Sequence, residues 1–215
     1  MLMNDEPRMA ARADLCRLLA ASYYQPDEAF AQERMFDAMC VAADAIDPEL
    51  GAQAHRVAAA FAAEDPQRLL IDYTRLFLGP ERALAQPYGS VWLDGSQPLM
   101  TDSTLAVVAL YDEGGFEIAE DFRDLPDHVA AELEFLYLLL FREAQARRRA
   151  DIDAIQCNAE LRRRFLGEHL GRWVGPFTAA VRAGTQTAMY RELAALTECF
   201  VAMLGSAHPT AQPTA

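Results

Sequence analysis

Apolar residues recur along this chain at intervals of three and four, the spacing of amphipathic helices, and no useful length of sequence alternates as a strand would. The pattern predicts a first helix over residues 9–24 and a second that carries Met35 and Met39. Asp47-Pro48 and Asp65-Pro66 predict two further helix starts, because aspartate caps a helix and proline suits its first position. The sequence therefore indicates an all-α, single-domain helical bundle of about nine to ten helices. Later helices are expected at about residues 102–113, 126–146, 151–166, 169–183 (kinked or interrupted at Gly175-Pro176) and 188–204.

The most apolar of these helices follows the turn Pro126-Asp127-His128, and the fold is expected to form around it. We predict that it begins near residue 126, with Asp124 or Asp127 as its cap. Apolar residues cover most of its circumference from Val129 onward, so the helix should be buried nearly all round.

Helical periodicity fails between residues 78 and 101, where glycines and prolines surround Trp92. A long irregular loop in a compact domain is usually functional or disordered, and the embedded aromatic residue argues against disorder. We expect one helical domain over residues 1–204, with a functional loop at about 78–101. The polar segment 205–215 should be a flexible tail.

Composition narrows the classes of function that remain. The net charge of −13 argues against nucleic acid as a partner, and a basic partner is more plausible. All 19 basic residues are arginine, which excludes a P-loop lysine and a Schiff-base lysine. The apolar run 135–141 is too short to cross a bilayer, and the first residues lack the layout of a signal peptide. We therefore expect a cytoplasmic protein that is not inserted stably in a membrane, with four reduced, scattered cysteines.

His128 and Glu132 lie four residues apart on one helix face and could together ligate a metal. A hydrolase that uses Asp127 and His128 would need a nucleophile such as Ser90, Ser103 or Cys157, and none of them lies in a nucleophile elbow. The alternative is that Asp127 only caps the helix while His128 bonds a neighbouring loop. Trp92 has two interpretations as well, as a core residue or as part of a binding surface.

Several segments in order resemble one family, the TorD/DmsD/NarJ-type maturation chaperones of molybdoenzymes. The resemblance covers about residues 12–204, and its motifs are Tyr73-Thr74-Arg75-Leu76-Phe77-Leu78-Gly79, Pro87-Tyr88-Gly89-Ser90-Val91-Trp92-Leu93-Asp94, Leu125-Pro126-Asp127-His128-Val129, Glu132-Leu133-Glu134-Phe135, His169-Leu170-Gly171-Arg172-Trp173-Val174 and Tyr190-Arg191-Glu192-Leu193-Ala194.

This resemblance implies a TorD-like, all-helical chaperone without catalysis, without a cofactor and without a metal. Its partner would be the precursor of a molybdenum-cofactor oxidoreductase, bound through the twin-arginine leader and in some cases the mature part until cofactor insertion is complete. The chaperone would be a monomer or a domain-swapped homodimer. The alternatives are a metal-dependent hydrolase centred on His128 and Glu132, and a scaffold that reads no leader. The peptide-binding residues implied are Tyr73, Leu76, Phe77, Ser90, Trp92, Asp124, Pro126, Asp127 and His128.

A basic and apolar leader would also require carboxylates beside an apolar groove. Asp121, Asp124 and Asp127 are expected to supply the charge, and Leu76, Phe77 and Trp92 the groove.

Overall fold

A computed structural model describes residues 5–26, 34–79, 83–95, 101–119, 122 and 124–206. Within these ranges the chain is helical and forms no strand, which confirms the predicted all-α class. None of the described helices is long and apolar enough to cross a membrane. The helices are α1 (Asp5–Ala21), α2 (Met35–Ile46), α3 (Pro48–Ala63), α4 (Pro66–Tyr73), α5 (Gly89–Leu93), α6 (Asp102–Glu113), α7 (Val129–Arg148), α8 (Ile152–Phe165), α9 (Gly171–Gly184) and α10 (Ala188–Ser206).

Local caps set most of these boundaries. The Asp47 carboxylate accepts hydrogen bonds from the backbone N–H groups of Glu49 and Leu50, and Asp65 does the same at the start of α4. Thr101 and Asp151 cap α6 and α8 through their side-chain oxygens. The helix starts predicted at Asp47-Pro48 and Asp65-Pro66 are therefore confirmed.

Two helices continue through wide π-helical turns. The turn Thr74–Leu78 extends α4 as far as Gly79, whose φ of 49° is accessible to glycine without strain. The turn Leu166–Leu170 joins α8 directly to α9. Helix α9 runs through Pro176 without a break, so the predicted interruption is wrong. Trp173 and Phe177, which precede and follow the proline in sequence, are both fully buried with ring centroids 5.5 Å apart, and they anchor this part of the helix in the core.

The central position predicted for α7 is confirmed. This helix packs against α1 on one side and α8 on the other, α2 and α3 pair beside α1, and α10 lies between α3 and α9. Buried apolar side chains from α1 to α10 form one continuous cluster. The predicted tail begins inside α10, which reaches Ser206, and residues 207–215 lie outside the described part of the chain.

The segment predicted to be an irregular loop contains a short helix. Residues 89–93 form α5, which packs against α6 and α9. Five residues are too few to show helical periodicity in the sequence, so the pattern could not mark this helix. Residues 80–82 and 96–100 of the same segment lie outside the described ranges.

Candidate functional site

Two of the sequence motifs meet at the start of α7. The backbone N–H of Val129 donates to the Pro87 carbonyl at 2.8 Å, and the N–H of Gly89 donates to the Asp127 carbonyl at 2.9 Å. Between these bonds, Tyr88 and His128 pair as an isolated antiparallel bridge. The segment before α5 is thus held against the turn before α7, although some forty residues separate them in sequence.

Asp127 does not cap α7. Its side chain is completely buried, and one carboxylate oxygen, Oδ2, accepts a hydrogen bond from the backbone N–H of Ser90 at 2.8 Å. The other oxygen, Oδ1, is buried and has no hydrogen-bond partner among the described residues. Asp127 therefore satisfies a donor at the start of α5, and the predicted cap at Asp124 or Asp127 is wrong.

His128 takes the capping role at the start of α7. Its Nδ1 accepts a hydrogen bond from the Ala130 N–H at 3.1 Å, so Nδ1 carries no proton. Tyr24 stacks on the imidazole with ring centroids 6.2 Å apart, and Tyr88 meets it edge to face at 5.4 Å. Burial lowers the pKa of His128 from 6.5 to about 4, although the charges of Asp124 and Asp127 act in the opposite direction. The ring is neutral at physiological pH.

Carboxylates at the surface hold the hydroxyl groups of both tyrosines. The Tyr88 hydroxyl donates to Asp124 Oδ1 at 2.7 Å, and the Tyr24 hydroxyl donates to Glu134 Oε1 at 2.9 Å. Asp124 is exposed, whereas the other three side chains are half-buried. We call these residues, together with His128, the aromatic–acidic patch (Tyr24, Tyr88, Asp124, His128 and Glu134).

Tyr73 lies close to this patch. Burial and the charge of Asp124 raise the pKa of Tyr73 to about 12. The same two causes contribute to the raised pKa values of Tyr24 and Tyr88. The charge of Asp124 therefore acts on three tyrosine side chains, and the Tyr73 hydroxyl itself donates to the Tyr23 carbonyl at 3.4 Å.

A second polar group lies fully buried behind α5. Glu132 Oε1 lies 2.7 Å from His169 Nε2, and the Trp173 indole N–H donates to Glu132 Oε2 at 3.0 Å. Burial raises the pKa of Glu132. Burial alone would lower the pKa of His169, but the charge and hydrogen bond of Glu132, together with the charges of Asp127 and Asp94, raise it above its usual value. We call these three residues the buried triad (Glu132, His169 and Trp173).

In the structure Glu132 belongs to the buried triad and is not paired with His128, as the alternative of a metal site would require. Glu132 bonds to His169 and Trp173, while the nitrogen of His128 that faces the backbone caps α7. The described residues contain no group of three or more His, Cys, Asp or Glu side chains placed to hold a metal ion. Two features of the sequence point to the triad: a glutamate within an apolar helix, and His169 and Trp173 four residues apart.

The predicted apolar groove forms part of the core. Leu76, Phe77 and Tyr73 are buried, and the Phe77 ring packs against Tyr73 at 5.2 Å and Phe177 at 6.2 Å. Trp92 is only partly buried; its indole N–H donates to the Gln86 carbonyl at 2.9 Å. Tyr73, Leu76 and Phe77 are thus core residues, whereas Trp92 packs on Phe177 and keeps part of its side chain exposed.

The remaining predicted residues take different positions. Ser90 is buried and contacts Asp127 through its backbone, while Pro126 is half-buried and its carbonyl accepts from the Tyr111 hydroxyl at 2.9 Å. Asp121, expected to supply charge, lies outside the described residues. Glu134 supplies surface charge instead, and no local pattern indicates that Tyr24, just after α1, would reach it.

Two known chaperones are similar to this chain in amino-acid sequence. The Tat proofreading chaperone DmsD of Salmonella typhi is 38% identical over 77 residues, which cover 36% of this chain and 38% of that protein. The chaperone protein TorD of Photobacterium profundum is 27% identical over 128 residues, 59% of this chain and 58% of that one. The chain thus spans about two fifths to three fifths of the length of these relatives.

The fold has a counterpart among solved structures. A crystal structure of a candidate redox enzyme maturation protein from Archaeoglobus fulgidus matches with a TM-score of 0.55 and 20% identity, covering 90% of this chain and 94% of that one. At this identity the match speaks for the fold alone. The family model described as nitrate reductase delta subunit matches residues 43–179, a range that includes all nine residues singled out from sequence. The resemblance inferred from the motifs is therefore confirmed, and the chain belongs to the nitrate reductase delta subunit family, which groups it with the DmsD and TorD chaperones.

Proposed function

We propose that this protein is a cytoplasmic chaperone without catalytic activity. It binds the twin-arginine signal peptide of a molybdenum-cofactor oxidoreductase, as some chaperones of this kind also bind the mature part, and holds the precursor until cofactor insertion is complete. The names of the relatives, a Tat proofreading chaperone and a TorD chaperone, support this function over a hydrolase.

The observation that carries the proposal is the aromatic–acidic patch. Its carboxylates, Asp124 and Glu134, accept hydrogen bonds from tyrosine hydroxyls, which bring no positive charge, on a chain whose net charge is −13. A leader that opens with arginines and continues with an apolar segment would be steered by the charge and held by the aromatic surface.

The nine residues taken from the sequence divide into two groups in this proposal. Asp124, Pro126 and Trp92 are accessible enough to contact the leader. The buried residues hold the site in shape from behind, since their side chains reach solvent little or not at all: Tyr73, Leu76, Phe77, Ser90, Asp127 and His128.

Calorimetric titration with a synthetic leader tests the proposal. The peptide carries two adjacent arginines followed by an apolar segment, and the control peptide has glutamine at both arginine positions. We expect the arginine peptide to bind at least about tenfold more tightly, since charge-assisted hydrogen bonds contribute about 1.5–3 kcal/mol each. Equal affinity for the two peptides would contradict leader recognition and favour a scaffold that reads no leader.

Two further measurements separate the remaining alternatives. A stoichiometric metal found by elemental analysis of the purified protein would favour the hydrolase centred on His128 and Glu132. Light scattering of the same sample would distinguish a monomer from a domain-swapped homodimer, the two states we consider for the chaperone.

A further inference from the structure

We infer that the aromatic–acidic patch binds the two arginines of a leader at two separate carboxylates, one guanidinium group at Asp124 and the other at Glu134. This inference rests on the function proposed above and specifies how the same site recognises its ligand. It assigns a role to Glu134 and to Tyr24, neither of which belongs to the motif around His128.

The partners of the two carboxylates distinguish them from other acids on this surface. Exposed glutamates elsewhere form ion pairs with arginine, as Glu113 does with Arg164 and Glu6 with Arg148. Asp124 and Glu134 instead accept a tyrosine hydroxyl on one oxygen, and in the described part of the chain no arginine is paired with either of them. A tyrosine hydroxyl orients a carboxylate without cancelling its charge, so both groups can still attract a cation.

The rings around the carboxylates favour arginine over lysine. Tyr24 lies nearly parallel to the His128 imidazole, with an angle of 13° between the planes, and Tyr88 stands at 70° to the same ring. Both tyrosines are half-buried, so part of each residue is open to solvent. A planar guanidinium can stack on an aromatic face while its N–H groups reach a carboxylate, whereas an ammonium group is a compact point charge without a planar face to stack.

The two carboxylate–tyrosine pairs come from different parts of the fold. Tyr24 follows α1 and Glu134 lies within α7, whereas Tyr88 precedes α5 and Asp124 precedes the turn into α7. Both rings contact His128, which therefore lies between the pairs. Each pair can be weakened by mutation without removing the other, which makes separate recognition of two arginines testable.

The test is a set of binding titrations with the full chain and four leader peptides: arginine-arginine, arginine-glutamine, glutamine-arginine and glutamine-glutamine. The protein variants are Asp124→Asn and Glu134→Gln, which keep the shape of each side chain and remove its charge. Each variant should bind the arginine-arginine peptide about three- to tenfold more weakly, as expected for a partly solvated charge pair. The loss caused by Asp124→Asn should vanish with one singly substituted peptide, and the loss caused by Glu134→Gln with the other.

Matched controls are Asp153→Asn and Glu49→Gln, which change the net charge equally at exposed positions on α8 and α3. If the unmodified protein binds no arginine-arginine peptide, the proposed function itself fails. If that protein binds but the patch variants match the controls, leader binding stands and the two-carboxylate inference is overturned. Equal losses with all four peptides would also overturn it, because they would indicate long-range attraction rather than contact with particular arginines.

Discussion

The neutral state of His128 predicts that the folded protein loses stability in mild acid. In the unfolded chain the imidazole has its ordinary pKa of 6.5, whereas in the folded protein burial lowers that pKa to about 4. At a pH between these two pKa values, His128 is protonated in the unfolded chain and neutral in the folded protein. The stability contribution is therefore intact above pH 6.5 and is lost as the pH falls toward 4.

The size of this effect follows from the gap between the two pKa values. A difference of one pKa unit is worth about 1.4 kcal/mol, so the full penalty below pH 4 is about 3 kcal/mol, of which about 2 kcal/mol has been lost by pH 5. The substitution His128→Asn isolates it, because asparagine is a good helix cap but does not titrate. Loss of the stacking with Tyr24 lowers the stability of the variant at every pH and cancels when two pH values are compared.

The assay is urea unfolding followed by circular dichroism at pH 7 and pH 5. We expect the free energy of unfolding of the unmodified protein to fall by about 2 kcal/mol more than that of His128→Asn over this interval. Raised pKa values in the buried triad oppose the loss, but the triad is present in both proteins and its effect cancels. His55→Asn, at an exposed histidine, serves as the control for removing one histidine. Equal losses for His128→Asn and the unmodified protein would refute the neutral, capping imidazole.

Three further substitutions test the packing of the site by urea unfolding. Gly89→Ala should lower the free energy of unfolding by about 1–3 kcal/mol, because the new Cβ would lie 3.0 Å from two polar atoms of the buried triad. The control is Gly167→Ala, whose Cβ meets nothing within 4 Å and which should lower that free energy far less. Similar losses for the two variants would contradict this packing. Asp127→Ala should cost about 1–3 kcal/mol, since it leaves the buried N–H of Ser90 without its acceptor, and unchanged stability would show that the bond contributes nothing. Leu76→Ala, at a side chain with no exposed surface, should cost about 2–5 kcal/mol, and a loss below about 1 kcal/mol would argue that the residue lies at the surface.

Features encoded by neighbouring residues could be predicted from the sequence. Asp47-Pro48 and Asp65-Pro66 mark helix starts because the cap and the N–H groups it satisfies lie within three residues of each other. The central helix could be predicted as well, since its apolar circumference is a property of one continuous segment.

Features that depend on distant partners could not be predicted. Asp127 looks like a cap in sequence, but its carboxylate is taken by the N–H of Ser90, 37 residues away. The Tyr24 hydroxyl reaches Glu134 across 110 residues, and no local pattern records such a contact. The nine site residues were gathered by resemblance to a family, and their roles in binding stay a prediction.

The environments of Trp92 and Trp173 have a spectroscopic consequence, because these are the only two tryptophans in the chain. Trp173 is fully buried and hydrogen-bonded to Glu132, whereas Trp92 is partly open to solvent and is one of the residues proposed to contact the leader. Iodide should quench the emission of Trp92 and spare that of Trp173, and a bound leader should shield Trp92 from the quencher. The intrinsic fluorescence of the unlabelled protein can thus report occupancy of the site. The variant Trp92→Phe gives the emission of Trp173 alone, which serves as the background.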